Sequence, residues 1–251
     1  MQVLGIDVGG TGIKGALVDV QRGELSVDRQ RILTPKPATP DAVIGVIKEL
    51  VDHFAYSGPL GVGFPAAVLD GVVKTAANID HAWIEYAGEA RISQVTGCPT
   101  KLLNDADAAG LAEVRFGAGK DQPGVVFVFT LGTGIGSALF VDGRLVPNTE
   151  LGHLYLPNQP HDAEYSASER ARIENGLSWE AWAANLDAYL HHIYGLFWPN
   201  LIILGGGGSK KIDKFLPLLT VPVKIVPAEL GNEAGIVGAA LATELLYGSR
   251  I

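Results

Sequence analysis

The sequence predicts an α/β protein built as two related halves, and three observations predict it. Short apolar stretches alternate along the chain with stretches at helical spacing, the pattern of a sheet covered by helices. A unit of strand, glycine-rich turn and strand occurs once in each half, over residues 2–20 and again over 124–143. Glycine supplies 32 of 251 residues without a strict triplet repeat, so tight backbone turns account for it and a collagen helix does not.

The elements follow in order. Residues 2–6 (QVLGI) read as a buried strand, DVGGTG as a turn, and 13–20 as a returning strand. Thr39 stands as an N-cap with Pro40 at the first helical position, and Val43, Val46, Ile47, Leu50 and Phe54 then recur at helical spacing. A strand at 60–64 leads to AAVLDGVVKT, where Asp70-Gly71 marks a hairpin. Residues 100–104 form a strand, and a helix over 105–116 stops before Gly117. GVVFVFT, LGTGIG and SALFVDG then repeat the opening unit, with Asp142-Gly143 as a second hairpin signal. The polar segment 154–177 reads as a loop or lid. Ser178 caps a long helix carrying Trp179, Trp182, Leu186, Leu190, Ile193 and Phe197 on one stripe, which reads as core. Strand 200–204 enters Gly205–Gly208 and SKKIDKF, and an apolar helix over roughly 233–247 follows.

Composition narrows the function classes. Hydrophobic residues at 47% and charged residues at 18% exclude a disordered or coiled-coil chain. The net charge of −8, from 19 basic and 27 acidic residues, argues against nucleic acid or an acidic membrane as partner. No apolar run approaches the about 18 residues of a membrane span, and no signal segment opens the chain, so the expected location is the cytoplasm. Cys98 is the lone cysteine, which excludes an internal disulfide and a multi-cysteine zinc site.

The glycine turns carry the chemical signal. Gly10-Thr11-Gly12-Ile13-Lys14-Gly15 matches the spacing of a dinucleotide fingerprint, but a strand follows it where that fingerprint needs a helix. The Walker pattern fails as well, because no Gly-Lys-Ser/Thr is present. What remains is a hairpin with a glycine tip, Gly9, Gly10, Thr11 and Gly12, whose N–H groups suit phosphate oxygens. Asp7 and Lys14 flank it; a tight hairpin that binds nothing is the competing reading. Gly132-Thr133-Gly134 offers a second such cradle, and Gly206-Gly207 within Gly205–Gly208 a third. Asp105 sits where a strand hands over to a helix and is either a helix cap or a carboxylate with a chemical task.

DVGGTGIKGALVD, LLNDADAAGLAE, TLGTGIGSALF, NTELGH and the GGG-containing segment together resemble the ROK sugar kinases (repressor, open reading frame, kinase) of the actin–hexokinase superfamily. RILTPKPATP, VVKTAANID, HDAEYSA, GGGGSKKIDKFLP and VPAELGNEAGIVGAAL extend the resemblance to polyphosphate glucokinases, including polyphosphate/ATP glucomannokinases. The resemblance implies a two-lobed actin/hexokinase-like (ribonuclease H-like) α/β fold around a central cleft. Its lobes would span 1–106, with the C-terminal helix 235–251 packing back, and 107–234. Many ROK proteins carry a cysteine-rich zinc motif after the Gly-His pair; this chain has no cysteine there, so no zinc is expected.

The resemblance also implies roles. Asp105 is the base that takes the proton of the sugar's C6 hydroxyl; Asn78, Asn104, Glu150, His153 and Glu164 join it in holding the sugar. Asp107 is structural or solvent-facing. Asp7, Gly9, Gly10, Thr11, Gly12, Lys14, Gly132, Thr133, Gly134, Gly206 and Gly207 hold the phosphate donor, with Mg²⁺ on the donor and Asp7 acting on that ion through water. Lys210 and Lys211, with Lys214 beyond, form either a solvated surface or a track for a linear polyanion. The implied activity is transfer of a phosphoryl group from inorganic polyphosphate, with ATP as a second donor, to glucose or mannose, by a homodimer. An ATP-dependent hexokinase of the same family and a non-catalytic sugar sensor are the competing functions.

Overall fold

The computed structural model describes residues 1–77 and 79–248. From β1 (Gln2–Val8) the chain turns into β2 (Ile13–Asp19), β3 (Glu24–Leu25) and β4 (Gln30–Ile32). Helix α1 (Pro40–His53) leads to β5 (Leu60–Phe64), the hairpin β6 (Val68–Leu69) and β7 (Val72–Val73), α2 (Gly88–Thr96), β8 (Thr100–Asn104) and α3 (Asp105–Phe116). Next come β9 (Val125–Leu131), β10 (Ile135–Val141), β11 (Arg144–Val146), α4 (Glu164–Ala167), α5 (Glu169–Glu174) and α6 (Trp179–Phe197). Strands β12 (Leu201–Gly205) and β13 (Lys224–Pro227) and helix α7 (Ala234–Ala242) follow, the last running on as a 3₁₀ turn over Thr243–Tyr247. Among the described residues no helix is long and apolar enough to cross a membrane.

The chain divides into two compact units, Met1–Phe116 with the segment from Asn232 onward, and Gly117–Gly231. In the first, the sheet order is β3-β2-β1-β5-β8, with β1 antiparallel to β2 and parallel to β5, and β4 beside β2. Side chains alternate across a strand, so the two faces of β1 meet different partners. Leu4 and Ile6 join Val43, Ile47 and Leu50 of α1 in one core, where Trp83 packs on Phe64 with ring centroids 4.5 Å apart. On the opposite face two glycines leave no side chain in the way: a Cβ on Gly5 would strike the Ile236 carbonyl, and one on Gly61 the Ala239 carbonyl. Helix α7 therefore lies directly on the strand backbones. A Cβ on Gly238 would in turn strike the Ala108 carbonyl, so α3 packs equally tightly on α7. This contact keeps α3 in the first unit, which runs to Phe116 and not to 106.

The second unit has the order β11-β10-β9-β12-β13, again with an antiparallel hairpin and then parallel strands beside its first strand. Phe127, Phe129 and Leu204 meet Trp182, Leu186, Tyr189 and Ile193 of α6 in its core. The Ser178 hydroxyl caps α6 by accepting the Ala181 N–H at 3.2 Å. Each unit thus carries the strand order of the ribonuclease H-like sheet that the resemblance implies.

Asp70-Gly71 and Asp142-Gly143 form the expected tight hairpins, with φ of 50° and 75° in each pair. Two expectations are corrected. Thr39 occupies the N-cap position of α1 but makes no side-chain cap bond. Segment 154–177, expected as a loop or lid, contains α4 and α5 and buries Ala163, Ala167, Ser168 and Ala171. The Trp182 indole N–H fastens it to α6 by donating to the Ala167 and Ser168 carbonyls, at 3.1 and 2.9 Å.

Candidate active site

In the first unit, β1 and β2 pair Asp7 with Lys14, whose Nζ lies 3.3 Å from Asp7 Oδ2. Lys14 therefore meets an internal counter-charge before any external one. The tip closes on itself through the Gly9 N–H, which donates to the Gly12 carbonyl at 3.2 Å. Residues behind the tip brace it: the Thr34 hydroxyl donates to the Gly9 carbonyl, and Arg31 donates to the Thr11 carbonyl at 2.9 Å. The Arg31 guanidinium fills the place a Cβ on Gly12 would take, whereas Gly10 and Thr11 are exposed. A cavity of about 360 Å³ adjoins the tip, lined by Gly9, Gly10, Thr34, Lys36, Pro65 and Asp80 among others.

Asp7 fits the Mg²⁺ expected on a phosphate donor. A Cβ on Gly235 would come within 3.2 Å of Asp7 Oδ1, so the missing side chain there leaves the carboxylate uncrowded. One carboxylate with room beside it suits an ion that keeps waters and phosphate oxygens for most of its shell.

At the end of β8, Asn104 is buried and takes the capping duty. Its Oδ1 accepts the N–H groups of Ala106 (2.8 Å) and Asp107 (3.1 Å), and its Nδ2 donates to the Ala66 carbonyl at 3.2 Å. Asp105 also accepts the Ala106 N–H, at 2.8 Å, and remains partly exposed. The cap reading considered for Asp105 thus belongs chiefly to Asn104. Asp107 points into the first unit, only 1% exposed. Asn78 lies outside the described residues.

In the second unit, the β9–β10 tip closes through the Gly132 N–H onto the Gly134 carbonyl at 3.0 Å, and the Arg170 N–H donates to the Gly132 carbonyl at 3.0 Å. Glu164 sits against this tip: its Oε2 accepts the Ile135 N–H at 3.1 Å, in space that a Cβ on Gly134 would occupy. Glu150 precedes and His153 ends a 3₁₀ turn, Leu151–His153, which brings His153 Nε2 to 3.8 Å from Glu150 Oε2. On the other side of the ring, Nδ1 lies 3.1 Å from Asp162 Oδ2 and 4.0 Å from Glu164 Oε1.

Glu150, His153 and Glu164 are therefore brought together, with Asp162 added. Burial pushes the Glu150 carboxyl above its ordinary range, partly offset by His153, with Glu164 adding to the rise. Burial alone would lower the His153 pKa; the Asp162 hydrogen bond and the charges of Glu164 and Glu150 outweigh it, and the net shift is upward. Behind Glu164, the fully buried Tyr189 phenol is held neutral by burial first and by the Glu164 charge second. Ligand atoms of His153, Asp162 and Glu164 lie within 4.8 Å of one another, close enough to hold a cation. Hydrogen bonds already engage Nδ1 of the first, both oxygens of the second and Oε2 of the third.

The third glycine turn leaves β12. Gly206 has φ of +81°, and a Cβ there would strike the Leu131 carbonyl, so only glycine fits. Gly207 neighbours the Glu169 carboxylate. Gly208–Lys214 forms 3₁₀ turns on which Lys210, Lys211 and Lys214 are exposed; among the described residues neither Lys210 nor Lys211 makes an ion pair. Sequence reasoning missed Arg31, Thr34, Asp162 and Glu169. The first two lie within RILTPKPATP and Asp162 within HDAEYSA, so the blocks were visible although the individual contacts were not.

A model of the ROK family matches residues 3–165. The polyphosphate glucokinase of Mycobacterium tuberculosis (strain H37Rv) is 50% identical over 240 residues, which are 95% of this chain and 90% of that protein. Among solved structures, the inorganic polyphosphate/ATP-glucomannokinase from Arthrobacter sp. strain KM matches with a TM-score of 0.93 and 48% identity, over 98% of this chain and 99% of that one. The ROK family glucokinase from Streptomyces griseus, in complex with glucose and AMPPNP, matches with a TM-score of 0.84 and 25% identity, over 98% and 100%. The ROK family model covers more than half of the chain and a relative at 50% identity covers nearly all of it, so the chain that carries these glycine-tipped hairpins and the clustered Glu150, His153 and Glu164 belongs to the ROK family.

Proposed function

We propose that this protein is a polyphosphate-dependent glucokinase, moving the terminal phosphoryl group of inorganic polyphosphate to the C6 hydroxyl of glucose to give glucose 6-phosphate. The observation that carries the reading is the 50% identity to a polyphosphate glucokinase over 95% of the chain. ATP is the second donor and mannose a second acceptor, on the strength of the 48% identity to a polyphosphate/ATP-glucomannokinase.

Phosphoryl transfer asks a protein chiefly to position the reactants and offset charge. Asp105 accepts the C6 hydroxyl proton as that oxygen attacks, and Asn104, by capping α3, fixes the backbone that carries Asp105. Glu150, His153 and Glu164 bind the sugar hydroxyls, with Asn78 as a further contact; a carboxylate and an imidazolium supply an acceptor and a donor to neighbouring hydroxyls. The Gly9–Gly12, Gly132–Gly134 and Gly206–Gly207 turns hold the donor phosphates through backbone N–H groups other than those of Gly9 and Gly132, which close their own tips. Asp7, which also tethers Lys14, would hold a Mg²⁺ on the donor through water, and that ion would supply charge that offsets the phosphates. Lys210 and Lys211, exposed and without ion pairs among the described residues, meet the length of a polyanion. The protein acts in the cytoplasm as a homodimer, a state that sedimentation analysis tests.

The decisive assay is glucose 6-phosphate formation by the purified protein with Mg²⁺, given nucleotide-free polyphosphate or ATP in separate reactions. Product from polyphosphate is the expected result. Product from ATP alone would leave an ATP-dependent hexokinase of the same family and return the lysines to ordinary surface. Absence of product from either donor, with glucose or mannose, would favour a sugar sensor.

A further inference from the structure

An imidazole that meets a ligand through one nitrogen is steered by whatever its other nitrogen bonds. At His153 the partners of Nδ1 are unequal. Asp162 Oδ2 is at hydrogen-bond distance, 3.1 Å, while Glu164 Oε1 is at 4.0 Å and the other Glu164 oxygen is held by the Ile135 N–H. Asp162 is itself fixed: its Oδ1 accepts the Tyr165 N–H at 3.3 Å, its backbone bridges to Tyr155, and the next N–H, of Ala163, donates to the Leu154 carbonyl at 2.8 Å. The imidazole thus hangs from a braced carboxylate, and its Nε2 edge lies on the Glu150 side, 3.8 Å from Oε2.

We propose that Asp162 is the positioning residue for His153, holding Nδ1 as an N–H donor and presenting Nε2 to the acceptor sugar; the proposal rests on the sugar-binding role given to His153 above. Neutral imidazole with its proton on Nδ1 offers the sugar an acceptor at Nε2, and imidazolium offers it a donor. Without Asp162 the ring is free to rotate or to change tautomer, and the sugar loses a directed partner. The charged groups that face the ring are Glu150 from its own turn, Asp162 from the following segment and Glu164 from α4.

The test compares Asp162→Asn, Asp162→Ala and His153→Gln in the full chain, by kinetics and by NMR titration of the His153 ring. Asp162→Asn keeps shape and loses charge, so it should raise the KM for glucose about tenfold or more with kcat little changed. It should also move the His153 titration to lower pH. Asp162→Glu should recover part of both effects. If Asp162→Asn and Asp162→Ala leave KM and the titration unchanged while His153→Gln raises KM, the proposal is overturned and the sugar-binding role stands. If His153→Gln itself leaves KM unchanged, the sugar-binding role falls and takes the proposal with it, even where the titration still shifts.

Discussion

Asp105 and Asn104 divide two tasks that one side chain would perform badly together. Because Asn104 carries the helix cap, replacing Asp105 with Asn should leave the fold and sugar affinity intact while lowering turnover by about 10²–10⁴-fold, the usual worth of a positioned general base. Near-normal turnover, read as glucose 6-phosphate formed, would remove Asp105 from that role. His153 supplies a pH prediction with a definite sign. Its folded-state pKa is raised, so the stability it contributes is fully present below the ordinary imidazole pKa and is lost as pH rises through the folded value. Thermal unfolding of His153→Gln against the parent should therefore differ more near about pH 6 than near about pH 9. A difference that grows toward alkaline pH would contradict this picture. NTELGH was legible because its residues are contiguous; Asp162, nine positions on from His153, carries no local mark of its partner.

Helix α7 gives the clearest element-scale test, because propensity and packing disagree there. Inside a helix, Gly→Ala ordinarily stabilises by about 1 kcal/mol. At Gly238 the new methyl would collide with the Ala108 backbone carbonyl, which cannot swing aside as a side chain end would. Overpacking of this kind typically costs about 1–3 kcal/mol, so Gly238→Ala should destabilise on balance. A urea midpoint that rises in the variant would refute the close α3–α7 contact. Legibility of the elements followed their apolar stripes. Helices α1 and α6 bury Val43, Ile47 and Leu50, and Trp182, Leu186 and Ile193, so the 3.6-residue period was plain. Helix α2 buries only Gly88 and Ile92, and α4 and α5 span four and six residues, too short for a period to register. Strand β13 carries as weak a signal: KIVP has no fully buried residue.

Across the whole molecule, with a net charge of −8, the exposed Lys210 and Lys211 form a local pair of positive charges, and long polyanions are where such a pair matters. Changing both to Gln should weaken the use of long-chain polyphosphate more than that of ATP, and added salt should mimic the loss. Equal loss with both donors would point to damage of the shared donor site. The two related sheets were legible because strand, glycine turn and strand recur in the sequence. The unit boundary was not, since nothing local announces that α3 and α7 share a backbone contact. That contact has a consequence for synthesis. The first unit needs the segment from Asn232 onward, so a nascent chain leaving the ribosome holds its β1 and β5 strands unroofed while Gly117–Gly231 is already complete. Arrested chains ending near residue 231 should resist protease across their later half and stay open to it across their earlier one. In this protein the half made first is finished last.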